Sequence, residues 1–309
     1  MRSVLMRRFW QEAYRTGALP PAYYITCAGR TDGGGAQMQA IYSTMLYARC
    51  TGLVYLHTPI ISVEHNTYDV PGWPEKWERA FSPGHGELQA GAFDLSAARQ
   101  IAADEMSFER PQPPPPQPTL LVAQECHWYA DSHPDFYSLI QPLFIRKYRL
   151  NSPPRFENRD RLIVAIHIRR GDVDEHEAER FTRNECVGHQ IDELSRSLGS
   201  VPHEFHVYSE GVAEDFGAIG DRAILHLNGD VFECFESLVS ADIFVTAKSS
   251  FSYTAALLAR GVVIYSPFWH APLQQWIVAG EQGEVCRDRL FSALWRQRLI
   301  RGGMGTRTR

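Results

Sequence analysis

The sequence predicts an α/β protein built as two domains, and three observations carry that prediction. Short apolar runs rich in β-branched residues alternate with helical stretches, most regularly after residue 160. A polar segment containing Pro153-Pro154, over 151–160, interrupts the pattern midway. The 309 residues are more than one ordinary core needs and enough for two domains of about 150 residues. The expected boundaries are 1–155 and 156–309, with a parallel sheet between helices indicated most clearly in the second.

The first 21 residues predict a peripheral helix. Phe9, Trp10, Ala13 and Tyr14 recur at helical spacing, and Pro20-Pro21 ends it. Residues 23–28 read as a buried strand that runs into Gly29-Arg30-Thr31-Asp32-Gly33-Gly34-Gly35 and then a helix over 36–50. A glycine-rich loop there lets a ligand approach the backbone, and the helix N-terminus favours negative charge. The spacing is neither that of a P-loop nor that of the dinucleotide fingerprint, so a plain flexible turn stands beside the ligand reading. A strand over 53–60 follows. His57, Glu64 and His65 lie in or after it, either lining a cleft or satisfied at the surface. Residues 68–81 form an aromatic loop and short helix, where Trp73 and Trp77 serve core packing or a sugar platform. A helix is expected over 93–106.

Residues 111–118 are nearly all proline and read as extended polyproline II. They are either a ligand for a proline-binding module or, preferred here, a surface loop of the first domain, because a strand resumes at 119–125. A helix over 135–150 has a basic end (Arg146, Lys147, Arg149) that suits its dipole. Beyond the linker the alternation is cleaner. Strands are expected over 162–168, 204–209, 223–227, 242–247 and 262–265, with helices over 185–198, 231–240 and 251–260.

Composition narrows the function classes. Hydrophobic content of 44% and charged content of 22% are those of an ordinary globular chain. A net charge of −5 gives no global attraction to nucleic acid or anionic membrane, so any anion site must be local. The six cysteines are scattered without metal-ligand or redox spacing, which favours buried free thiols. There is no apolar run of membrane-spanning length, no signal-peptide core near the N-terminus and no Asn-x-Ser/Thr acceptor. The expected setting is cytoplasmic, or the Golgi lumen if the chain is a fragment without its anchor.

The first strand of the second half ends in His167-Ile168-Arg169-Arg170-Gly171-Asp172. In an open α/β sheet, ligands bind outside the carboxyl ends of the strands. A guanidinium fork suits phosphate or carboxylate, so the strand tip reads as an anion site with a diphosphate as leading occupant. If extension continues, His167, Arg169 and Gly171 share one face and Arg170 and Asp172 the other. In the competing reading, one arginine is structural and paired to Asp172. Ser249-Ser250 opens a helix after a later strand. There a serine caps the helix and the amides of Ser250, Phe251 and Ser252 face an anion, or the serine is a cap and nothing more.

His-Ile-Arg-Arg-Gly-Asp resembles the first motif of the α1,2-, α1,6- and protein O-fucosyltransferase superfamily. Phe205-His206-Val207-Tyr208-Ser209-Glu210 resembles its second motif, and the run from Asp242 to Ser252 its third, in the same order. Gly34-Gly35-Ala36-Gln37-Met38 resembles its Gly-x-Gly-Asn-Gln-Met segment, with Ala36 in place of the usual Asn. The resemblance implies a GT-B-like fold, two Rossmann-like domains facing a cleft, with the nucleotide sugar in the C-terminal domain and the acceptor largely on the N-terminal one. It implies an inverting fucosyltransferase that moves L-fucose from GDP-fucose to a glycan or other hydroxyl acceptor without a metal.

Carried over residue by residue, Arg169 holds the β-phosphate together with Ser249, Ser250 and Phe251, with Asp172 in the same motif. His167 packs beside the nucleotide, and Gly34, Gly35 and Gln37 serve the sugar or acceptor. Guanine needs a carboxylate for its N1–H and N2–H₂. Glu210 and Asp230 are the candidates, each otherwise a solvated surface acid. Glu177, ten residues past His167, stands at the offset of the proposed general base, among Asp174, Glu175 and Glu179. Two alternatives stand beside this reading: a transferase using another nucleotide sugar, and a non-catalytic nucleotide-sugar or carbohydrate-binding protein, which the Ala36 departure keeps open. An Arg-Gly-Asp adhesion module is rejected, because the tripeptide follows a buried strand.

Overall fold

A computed structural model describes residues 10–66, 69–155, 160–177 and 179–305, with side chains through 297. The chain forms two compact units, Met1–Ser152 and Pro153–Arg309. The expected N-terminal helix falls partly outside the described residues, and its described part spans 10–16 (α1).

In the first unit the strands are β1 (Tyr23–Cys27), β2 (Val54–His57), β3 (Leu88–Gln89), β4 (Arg99–Ala102) and β5 (Thr119–Ala123). They form one parallel sheet in the order β3-β2-β1-β5-β4. The helices are α2 (Gly34–Thr51), α3 (Trp73–Phe81), α4 (His127–Ser132) and α5 (Tyr137–Tyr148). β1 is buried from Tyr24 to Cys27, which explains its unbroken apolar character. α2 begins after Gly33 and ends at Gly52, whose φ of 77° lies in the left-handed region and closes the helix at low cost.

Several expectations change in this unit. The helix over 93–106 is absent. Asp94 Oδ1 instead accepts from the Ser96 amide at 3.0 Å and caps a single 3₁₀ turn over Leu95–Ala97. Arg99–Ala102 then pairs alongside β5, so strand pairing overrides the helical preference of the alanines, as tertiary context routinely does with local propensity. The basic end of α5 is not all solvent-facing. Lys147 is 1% exposed, donates to the Pro83 carbonyl at 2.9 Å, and lies 3.0 Å from the Glu87 carboxylate. His57 is a core histidine, with Nε2 3.1 Å from Glu78 Oε2. Trp77 is buried and stacked on Phe81. In the proline run, Pro115 is buried, and the Pro111 ring lies on Gly52, leaving only 2.9 Å for an added Cβ.

The second unit contains β6 (Leu162–His167), α6 (Asn184–Leu198), β7 (His203–Ser209), β8 (Ile224–Leu227), α7 (Val231–Ser240), β9 (Ile243–Val245), α8 (Ser250–Leu258), β10 (Val262–Tyr265), β11 (Ile277–Val278) and α9 (Arg287–Gly305). All six strands are parallel, in the order β11-β10-β9-β6-β7-β8. Counted from β6, this is the doubly wound order 3-2-1-4-5-6, whose topological switch point lies between the first and fourth strands. Here those strands are β6 and β9. Val187, Ile191, Leu194 and Leu198 form one stripe of α6 and share a core with Val164, Ile166, Phe205 and Val207. β11 and α9 lie beyond the elements the sequence reading reached.

Candidate active site at the switch point

β6 delivers His167, Ile168 and Arg169 to the carboxyl edge of the second sheet, and β9 delivers Ser249 beside them. Ser249 is the N-cap of α8, and its Oγ accepts from the Phe251 amide at 3.2 Å. The same oxygen lies 3.4 Å from Arg169 Nη1. Ser249 therefore accepts twice, and its own hydroxyl proton remains to be donated. The cap uses Phe251's amide, whereas the Ser250 amide in the same first turn has no acceptor four residues back within the helix. Phe251 contributes its ring instead, 5.3 Å from the His167 ring and 5.2 Å from that of Phe235.

His167 is held from behind. Ser252 Oγ accepts from the Ala247 amide at 3.0 Å and lies 2.6 Å from His167 Nδ1. Burial, and then the neighbouring Arg169 charge, pull the imidazole pKa down to about 3. The ring is held neutral, with Nδ1 in a hydrogen bond with the Ser252 hydroxyl. The Ser252 side chain was missed in the sequence. The available signal was a serine at the third position of a serine-capped helix, where a hydroxyl reaches back to the preceding loop.

The two arginines part company, and strict alternation does not continue past the strand. Gly171 turns the chain at φ 79°, so Arg169, not Arg170, pairs with Asp172. Its Nε and Nη2 donate to the two carboxylate oxygens at 3.0 and 2.5 Å. Arg170 is structural. It donates to the Thr182 carbonyl and Asn184 Oδ1, both at 2.9 Å, and lies 4.1 Å over the Phe181 ring. Asp172 also stands 3.6 Å from Arg180, which in turn pairs with Glu177 at 3.3 Å.

The carboxylate candidates differ in occupation. Glu210 lies against the Gly171 turn, where any added Cβ would overlap its Oε2. Position 171 thus favours glycine for its left-handed backbone, and a larger residue would also displace the Glu210 carboxylate. Asp230 is the N-cap of α7, with Oδ1 accepting from the Phe232 and Glu233 amides at 2.9 and 3.0 Å. Glu177 is 44% exposed and faces Arg180. Asp172-Val173-Asp174 has the Asp-x-Asp spacing of a two-carboxylate cation site, a signal that the metal-free expectation passed over. In the structure Asp172 faces two guanidiniums, and Asp174 Oδ1 accepts from the His176 amide at 2.8 Å.

The glycine-loop candidates belong to the first unit. Gly34 is buried under Trp77, and a Cβ there would stand 2.2 Å from the indole. Packing alone therefore requires this glycine. Gly35 is buried in the first turn of α2. Gln37 Nε2 donates to the Asp32 and Ser62 carbonyls, both at 2.7 Å, and ties the glycine loop to the segment after β2. Gln37 and Arg30 line a pocket at the carboxyl ends of β1 and β2, with Cys27, Thr58 and Ile61.

No family model matches the chain, and neither does any curated protein. Solved structures do show likeness. POFUT1 in complex with GDP is 12% identical, with a TM-score of 0.41, over 80% of this chain and 99% of that one. Fucosyltransferase NodZ from Bradyrhizobium is 12% identical, with a TM-score of 0.40, over 80% and 96%. A mutant of Arabidopsis thaliana FUT1 in complex with GDP is 11% identical, with a TM-score of 0.40, over 87% and 76%. At such low identity and overlap the likeness adds no weight, and the functional reading rests on this chain's own residues.

Proposed function

We propose that the chain is an inverting glycosyltransferase whose donor is a guanine nucleotide sugar, GDP-fucose by the motifs it carries, and whose acceptor is a glycan or other hydroxyl. The observation that supports this reading is the meeting of Arg169 with the Ser249 cap of α8 at the β6–β9 switch point. Transfer from a nucleotide diphosphate depends on stabilising the departing diphosphate with fixed charge and aimed donors. Arg169, the Ser249 hydroxyl and the Ser250 amide are such donors, beside the neutral His167 imidazole. Glu210, unlike Asp230, is not spent on a helix cap and is the preferred partner for guanine N1–H and N2–H₂. The pocket with Arg30 and Gln37 is the proposed place for the acceptor. Six free cysteines support a reducing compartment. Among the described residues, no helix is long and apolar enough to cross a membrane.

Calorimetric titration with GDP tests the reading. Binding is expected to survive EDTA and to weaken about a hundredfold in Arg169→Ala, the loss of two charge-assisted bonds at about 1.5 kcal/mol each. Unchanged affinity in that variant, or loss of binding on chelation, would overturn it. A second reading, a nucleotide-sugar-binding protein without turnover, is favoured by one observation: Glu177 is exposed and faces Arg180. GDP binding without release of GDP from GDP-fucose, across a panel of hydroxyl acceptors, would select that reading.

A further inference from the structure

The loop after β6 carries a charged group that the proposed chemistry does not yet use. Arg180 is 30% exposed in its side chain, so it is not a freely solvated arginine. Its Nη2 lies 3.6 Å from Asp172 Oδ2, the same oxygen that accepts from Arg169 Nη2 at 2.5 Å. The two guanidiniums therefore stand either side of one carboxylate. Arg180 Nε is buried and has no hydrogen-bond partner among the described residues, and the Thr182 hydroxyl is in the same state. A dry, unpaired guanidinium N–H is costly, and an anion bound beside it would satisfy it.

The placement of Arg180 is built into the loop. Arg170 reaches forward to the Thr182 carbonyl and Asn184 and covers Phe181. The Arg180 and Phe181 amides donate to the Glu177 carbonyl at 2.8 and 2.9 Å and close a turn. The arginine that looks redundant in the motif, Arg170, thus anchors the segment that brings Arg180 to the strand tip.

We propose that Arg180 is a second cation of the diphosphate site, a deduction that rests on the guanine-nucleotide reading above. Asp172 occupies the fork of Arg169 and is shared with Arg180. A terminal phosphate carries more charge than one arginine already shared with a carboxylate can answer. When it arrives at Arg169, Arg180 holds Asp172 and offers its buried Nε–H to a phosphate oxygen. This assignment adds a residue thirteen positions past His167, outside the strand-tip motif.

The test is calorimetry of the full chain with GDP and GMP, using wild type, Arg180→Met and Arg180→Lys, with thermal unfolding as a check on folding. Arg180→Met is expected to weaken GDP about tenfold, to weaken GMP less, and to leave the unfolding temperature within about 2 °C. Arg180→Lys, which restores a point charge, is expected to return GDP affinity to within about threefold of wild type. Wild-type affinity in Arg180→Met, or equal weakening in the Lys and Met variants, would refute the role. If Arg169→Ala loses GDP and Arg180→Met does not, Arg180 alone is misassigned. If the wild type does not bind GDP at all, the nucleotide reading falls with it.

Discussion

At the scale of single residues, His167 shows how placement decides chemistry. A histidine at a strand tip reads equally as a ligand group, a proton carrier or a core side chain. Its surroundings decide: burial, and then the Arg169 charge, hold it neutral, while Ser252 Oγ, 2.6 Å from Nδ1, fixes the ring. The consequence for stability has a definite sign. The folded pKa, about 3, lies below the ordinary value of 6.5, so below pH 6.5 the unfolded chain binds the proton first. The contribution is complete above pH 6.5 and is lost on acidification toward pH 3, at up to about 1.4 kcal/mol per pH unit. Urea midpoints of wild type and His167→Gln should therefore converge as the pH falls from 7 to 5. Parallel curves would show that His167 is not held neutral. Alternation puts Asp172 on the face of Arg170, yet the structure pairs it with Arg169, because the turn depends on the left-handed backbone of Gly171, which local alternation does not register.

At the scale of elements, the opening of α8 joins two functions in one side chain. Ser249 closes the first turn and touches Arg169. Substitution can separate the two. Ser249→Ala should destabilise by about 1 kcal/mol through loss of the cap. Ser249→Asp should keep the cap and the stability, yet weaken GDP more than tenfold, because a carboxylate there competes with phosphate for Arg169. Urea unfolding and GDP titration on the same samples would check this; Ser249→Asp binding GDP like the wild type would show a cap and nothing more. Elements with strong local signals were legible: 231–240 and 262–265 are found as expected. The helix expected over 93–106 is absent although its alanines favour one, because Asp94 and the neighbouring β5 impose a turn and a strand that outweigh local propensity. Lys147 reads in the sequence as part of a basic helix end that suits the dipole, whereas its ammonium closes a loop 64 residues away in sequence, a long-range demand that dipole arguments do not contain.

For the whole molecule, the cysteines offer a global probe. Burial pushes the Cys27 and Cys126 thiols up to about 12, whereas Cys286 is exposed. Peptide mapping after brief alkylation at pH 8 should find Cys286 labelled and Cys27 and Cys126 protected until the chain is unfolded. Early labelling of the latter pair would contradict the packing of the first unit. What the sequence by itself determined is chemical and local: a strand ending in a guanidinium, a serine opening a helix, an α/β alternation that called for parallel sheets, and a midpoint at which the chain divides. What only the tertiary structure decided is which of these meet. Arg169 and Ser249 are 80 residues apart and touch because the second sheet is wound outward in both directions from β6 and β9. Strand order is set by the packing of helices across a whole sheet, and no stretch of periodicity or motif spacing contains it.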